Sequence, residues 1–169
     1  MLDFTQQNEI TYWRMTDDAV MGGKSKGNIS FDQGHGLFVG HISLENNGGF
    51  SSVSRSIAPL LKDVETVTVD IKGDGHTYQL RMMVNLDGYR LAYKHEFDTV
   101  IDHREKLIFT LADFQACFRG RLIPNAPLLK SDDILEIGFL ITKKQAGKFC
   151  LSIFSVLFGK HQHGSLPSY

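Results

Sequence analysis

Apolar and polar residues alternate at period two wherever this chain is regular, which is the pattern of antiparallel strands with one face on a core and the other in water. Val67, Val69 and Ile71 fall on one side of such a run, with Thr66, Thr68 and Asp70 on the other. Leu80, Met82 and Val84 oppose Gln79, Arg81 and Met83, and Leu91, Tyr93, His95 and Phe97 oppose Arg90, Ala92, Lys94 and Glu96. Further apolar rows are Leu107, Phe109 and Leu111; Leu135, Ile137, Phe139 and Ile141; and Phe149, Leu151 and Ile153. Turn signals separate the runs at Gly34-His35-Gly36, Gly73-Asp74-Gly75, Asp87-Gly88 and Lys143 to Gly147, a spacing that predicts an all-β sandwich or barrel. Helical spacing is confined to Ala58 to Lys62 and Leu111 to Phe114, too short to make a layer.

The length of 169 residues suits one domain. No linker, repeat or low-complexity segment divides it, so residues 1–160 are expected to form a single β-sandwich and residues 161–169 a flexible tail. Hydrophobic residues at 42% and charged residues at 22% are near globular averages. A net charge of −1 excludes a general pull toward nucleic acid. The N-terminus lacks the plan of a secretory signal or transit peptide, and the apolar stretch from Phe149 to Phe158 is broken by Ser152 and Ser155. A cytoplasmic protein without membrane insertion is expected. Cys117 and Cys150 match no disulfide or zinc pattern and are expected to be buried reduced thiols.

Two polar runs, Asp17 to Ser25 and Glu45 to Ser52, each set a glycine pair beside acidic, amide and hydroxyl groups. Glycine admits positive φ, and Asp, Asn and Ser satisfy the exposed amides of the resulting turn. Gly23-Lys24-Ser25-Lys26-Gly27 matches the G-x-S-x-G nucleophile elbow literally, and Gly22-Gly23-Lys24-Ser25 resembles the end of a P-loop. An elbow needs a helix after it, whereas Asn28-Ile29-Ser30-Phe31 continues as strand, and a P-loop needs glycine where Asp18 stands. A structural turn is the expectation, with Asp18 as a strand-entry cap in preference to a calcium ligand. The histidines form no ligand spacing, so neither metal nor cofactor is expected.

Gln79 and Arg81 share the polar side of one strand, and Tyr89, Arg90 and Lys94 follow after one turn, making a platform suited to a sugar or a peptide. Phe118-Arg119-Gly120-Arg121 sets two guanidiniums around a glycine. They would bind carboxylate or phosphate bidentately, or pair internally with Asp132-Asp133. Acids such as Asp70, Glu96 and Asp98 are the candidates for a glycosidase pair, and Ser25 for a hydrolase nucleophile, as the lesser alternative.

Read in order, these residues resemble the complex I intermediate-associated protein 30 family. Trp13 precedes Asp18-Ala19-Val20-Met21-Gly22-Gly23 and Ser25, as a tryptophan precedes the family's acidic-Val-Met-Gly-Gly-x-Ser run. Asn46, Gly48-Gly49-Phe50 and Ser52-Val53-Ser54-Arg55 are similar to its Asn-x-Gly-Gly-Phe-x-Ser-Val-Arg segment, with Ser54 standing between the valine and the arginine. Gly73-Asp74-Gly75 with Tyr78 and Arg81, then Phe114, Phe118 to Arg121, Ile137-Gly138-Phe139 and Gln145 to Ile153, continue the likeness from Trp13 to Phe154.

The resemblance implies an antiparallel β-sandwich of jelly-roll, galactose-binding-domain-like architecture, related to carbohydrate-binding modules. Mitochondrial members are assembly chaperones of respiratory complex I, and this chain, lacking their extra N-terminal sequence, is similar to a compact bacterial-type relative. The expected function is therefore a non-enzymatic assembly-type module. It would recognise a protein partner, for instance a respiratory or membrane-complex assembly intermediate, through the polar strand face and the glycine loops. Its expected binding residues are Trp13, Asp18, Asn46, Arg55, Gln79, Arg81, Arg119 and Arg121. The alternative is a carbohydrate-binding module with Trp13, Gln79, Arg81 and Tyr93 around one cleft.

Overall fold

The computed structural model describes residues 1–17, 25–45, 49–142 and 146–160. Thirteen strands are found among them: β1 (Leu2–Asp3), β2 (Arg14–Asp17), β3 (Lys26–Asp32), β4 (His35–Ile42), β5 (Phe50–Ser56), β6 (Thr66–Lys72), β7 (Thr77–Leu86), β8 (Tyr89–Asp98), β9 (Arg104–Thr110), β10 (Gln115–Phe118), β11 (Arg121–Leu122), β12 (Glu136–Thr142) and β13 (Gly147–Gly159). Among the described residues one sheet runs β3-β4-β13-β6-β9, with β1 added on β13, and the other runs β11-β10-β8-β7-β12-β5-β2. Every strand pair is antiparallel. The two last strands, β12 and β13, lie inside the sheets, between β7 and β5 and between β4 and β6.

The alternating rows explain why the sheets meet face to face. Val67, Val69 and Ile71 of β6 and Tyr78, Leu80 and Met82 of β7 are wholly buried and belong to one apolar cluster with Ile137, Phe139, Leu151 and Ile153. Aromatic edges bridge the layers, Tyr78 to Phe149 at 6.5 Å and Phe97 to Phe109 at 6.0 Å between ring centroids. Such contacts add to the burial that drives the sandwich together. The all-β antiparallel expectation holds.

Some boundaries differ from the sequence pattern. The row of β13 continues six residues beyond Ile153, because a bulge between Ile153 and Ser155 flips the phase and brings Val156 back to the core. There β1 takes over from β4 as its neighbour, Gly36 facing Ile153 and Asp3 facing Ser155. Leu135 lies before β12 and is exposed. No helix forms over residues 58–62, where Pro59 restricts Ala58 and lacks an amide donor. The short helix after β9 is found as a 3₁₀ turn at Leu111–Asp113, and another 3₁₀ helix spans Gln7–Tyr12. Cys117 is buried but Cys150 is exposed, and neither is in a disulfide. The turn between β3 and β4 is Gln33-Gly34, one residue earlier than the glycine signal implied. Asp87-Gly88 and Arg119-Gly120 make the same two-residue connection, both members with φ near +52° and +83°, as the twist of a type I′ hairpin requires.

Candidate functional site

Asp74 shows how the described loops are held. Its Oδ1 accepts from the His76 amide at 3.1 Å and from the Tyr78 hydroxyl at 3.0 Å, and its Oδ2 accepts from the Cys150 amide at 2.7 Å. The β6–β13 pairing ends at Lys72 and Ser152, so the carboxylate continues the ladder beyond the end of β6. Burial, reinforced by this carboxylate, pushes the Tyr78 phenol far above its ordinary value. Thr99 closes the same turn, accepting from the Gly75 amide and donating to the His76 carbonyl. A Cβ on Gly73 would stand 2.0 Å from Thr99 Cβ, so glycine is required there. The Gly-Asp-Gly-x-x-Tyr likeness thus marks a joint between the sheets.

The outward face of the seven-stranded sheet carries the polar platform. Register brings Gln115, Lys94, Arg81, Gly138, Ser54 and Arg14 into one lateral row across β10, β8, β7, β12, β5 and β2. A second row joins Glu96, Gln79, Leu140, Ser52 and Thr16. Directly opposed residues of antiparallel strands point the same way, so these side chains share one surface. Arg81 Nη1 donates to Gln79 Oε1 at 3.1 Å, and Gln79 is buried beneath it. Gly138 leaves the middle of the row without a side chain. Arg90 is paired with Glu136 at 2.5 Å, whereas Arg14, Arg81 and Lys94 have no ion-pair partner among the described residues. A polar hollow of about 290 Å³, lined by Lys94, His95, Glu96, Asp113 and Gln115, opens at the β8–β10 border.

The expected site residues separate. Gln79 and Arg81 lie together on the platform. Trp13 is turned the other way, 5% exposed, its ring 5.1 Å from Phe4 and 6.1 Å from Phe139 and its Nε1 donating to Glu9 Oε2 at 2.9 Å. It offers no face to a ligand, because the β2 edge needs a large apolar group to close the core. Tyr93 is buried as well, its hydroxyl donating to the Pro127 carbonyl at 2.6 Å, and burial pushes its phenol up. Arg55 reaches back to Glu9 Oε2 at 2.7 Å and lies over the Tyr12 ring, tying the Gln7–Tyr12 helix to β5. Arg119 and Arg121 stand apart on the β10–β11 hairpin. They are exposed and make no ion pair with Asp132 or Asp133. Asp18, Asn46, Met21 and the Gly22-Gly23 pair lie outside the described residues.

The acids and nucleophiles also fall into framework roles. Asp70 is buried and binds Arg104 Nε at 3.0 Å and Nη2 at 3.1 Å, on the opposite sheet from Glu96 and Asp98. Ser25 is fully buried, its hydroxyl donating to the Ser43 carbonyl and accepting from the Ser43 amide. Among the described residues no three His, Cys, Asp or Glu side chains are placed to hold a metal ion, and no helix is long and apolar enough to cross a membrane. Lys94, Glu96, Gln115, Ser52, Ser54, Thr16 and Arg14 complete the platform, and only Lys94 was legible as part of it. The order of the strands, which brings the others alongside, leaves no mark in residue spacing.

The fold is found in solved carbohydrate-binding modules. The family 11 module of Clostridium thermocellum in complex with a β-1,3-1,4-mixed-linked tetrasaccharide is 15% identical, with a TM-score of 0.68 over 95% of this chain and 97% of that one. The family 11 module of a cellulosomal cellulase of Clostridium thermocellum is 14% identical, with a TM-score of 0.66 over 90% and 91%. A module specific for non-crystalline cellulose is 11% identical, with a TM-score of 0.55 over 95% of each chain. At these identities the likeness is one of fold. No curated protein sequence matches the chain. The family model for complex I intermediate-associated protein 30 matches residues 2–153; with the Gly-Asp-Gly joint, the Phe-Arg-Gly-Arg hairpin and the sandwich now in place, the chain belongs to that family.

Proposed function

We propose that this protein is a non-enzymatic binding module that docks on a protein partner through the outward face of its seven-stranded sheet. The observation that carries the reading is the character of that face. It is a broad lattice of hydrogen-bonding side chains with three cations, Arg14, Arg81 and Lys94, that have no ion-pair partner among the described residues. Such a surface suits the carboxylates and carbonyls of another protein. Family membership supports an assembly intermediate of a respiratory or membrane complex as the partner class.

The test uses affinity capture from extracts of the source organism with the wild type and an Arg81→Glu/Lys94→Glu double variant of unchanged circular dichroism. A protein retained by the wild type and reduced at least about tenfold by the variant supports the reading. Repeated capture of nothing specific, across growth states, overturns it.

The second reading, a carbohydrate-binding module, rests on the neighbours in fold. Against it, Trp13 and Tyr93, its expected stacking groups, are buried. Retardation of the wild type in gels containing a soluble β-glucan, lost in the same variant, would establish it in place of the first.

A further inference from the structure

We infer that the β10–β11 hairpin and the hollow beside it form a second docking site, for a protein segment that presents an aliphatic or aromatic side chain next to carboxylates. This deepens the protein-partner reading and rests on it.

An apolar hollow of about 390 Å³ is lined by Leu86, Tyr89, Phe118, Ile123, Ala126 and Pro127, among others. Its volume is in the range of pockets that enclose a ligand group, roughly 300–1,000 Å³. Tyr89, on its wall, is a large apolar side chain left 64% exposed. Tyr89 meets Phe118 edge to face at 6.1 Å, giving the hollow a rigid wall. A surface of this kind marks an interaction site.

Charge selects the occupant. The type I′ turn fixes Arg119 at positive φ and sets its guanidinium 5.1 Å from the centre of the Phe118 ring. Arg121 follows on β11, an edge strand that pairs only with β10 among the described residues. Neither arginine has an ion-pair partner among the described residues. Asp87 is the one carboxylate in the lining among the described residues, so the two guanidiniums leave the patch positive. An arginine binds a carboxylate bidentately, and a nearby apolar pocket supplies the hot-spot anchor. A hollow takes a protruding side chain, whereas insertion into an anionic membrane needs apolar groups that project, so a protein segment is the better match to this shape.

The test is selection from a random-peptide phage library on the full chain, followed by fluorescence anisotropy with an enriched peptide. Arg119→Asp with Arg121→Glu reverses the charge, Asp being tolerated at positive φ, and Ala126→Trp fills the hollow without touching the charge. Each is checked by thermal melting. The expected result is a consensus joining Asp or Glu to Leu, Ile or Phe, with binding at least about tenfold weaker in both variants and unchanged in Arg81→Glu/Lys94→Glu. The inference is overturned by no enrichment, by a consensus without acidic residues, by equal binding in either variant, or by cosedimentation with phosphatidylserine vesicles in place of peptide binding. If the captured partner is lost with Arg81→Glu/Lys94→Glu and kept by the hairpin variants, the sheet-face reading stands and this one falls.

Discussion

Asp74→Ala is the most revealing single change, because one carboxylate accepts from two amides and a phenol at the joint between the sheets and also lies 2.8 Å from the His76 Nδ1. Its loss leaves the Tyr78 hydroxyl, on a fully buried residue, without an acceptor. A buried donor left unsatisfied costs about 1–3 kcal/mol. The His76 and Cys150 amides also lose their partner, but water reaches them more easily, so about 0.5–1 kcal/mol each is reasonable. The expected loss is about 2–5 kcal/mol, a large share of the ~5–15 kcal/mol by which a domain is stable. Urea denaturation followed by the emission of the single tryptophan, buried Trp13, measures it directly. Tyr78→Phe removes the donor together with its demand and is expected to cost only about 1 kcal/mol. The double variant should then show a coupling above about 0.5 kcal/mol. A loss below about 1 kcal/mol for Asp74→Ala, or additive behaviour in the cycle, would refute the claim that the carboxylate ties the sheets together.

Three further outcomes follow from the same geometry. Gly73→Ala drives a Cβ into Thr99 and is expected to lose about 2 kcal/mol or more; Gly88→Ala, at φ +83° in open space, should lose only about 1 kcal/mol, and paired urea midpoints compare the two. Arg55→Ala leaves the Glu9 carboxylate, whose side chain is 11% exposed, with only the Trp13 N–H among the described residues, a loss of about 3 kcal/mol that Glu9→Leu/Arg55→Leu largely restores. Tyr78 and Tyr93 both have phenols raised above the ordinary 10.0. The unfolded chain therefore releases these protons first as pH rises, and stability present below about pH 10 declines above it. Urea midpoints from about pH 8 to about pH 11 should show the decline, less steep in Tyr78→Phe.

The strands were legible because alternation is a local property. Thr66 to Asp70 and Leu80 to Glu96 reveal their faces from spacing alone, and the structure places each of those rows as the spacing implies. Departures occur where a non-local fact decides. The bulge near Phe154 shifts the phase of β13 because its neighbour changes from β4 to β1. Glu9 could not be seen as the partner of Arg55, forty-six positions away, and Trp13 looked like a ligand platform because an indole serves a core and a surface equally well. Gln79 and Arg81 were recognised as neighbours by their separation of two. Ser54 and Arg14 belong beside them only because β12 runs between β7 and β5.

That insertion has a kinetic meaning. Before residues 136–159 join, β11-β10-β8-β7 and β5-β2 are separate ribbons, and so are β3-β4 and β6-β9. The hairpin of β7 and β8 closes locally through two residues, but neither sheet becomes continuous until the last two strands slot into the gaps. Pairing at such sequence separation is slow, and each waiting ribbon exposes strand edges. A chain interrupted before β12 is thus not a smaller sandwich but a set of unmatched edges prone to self-association.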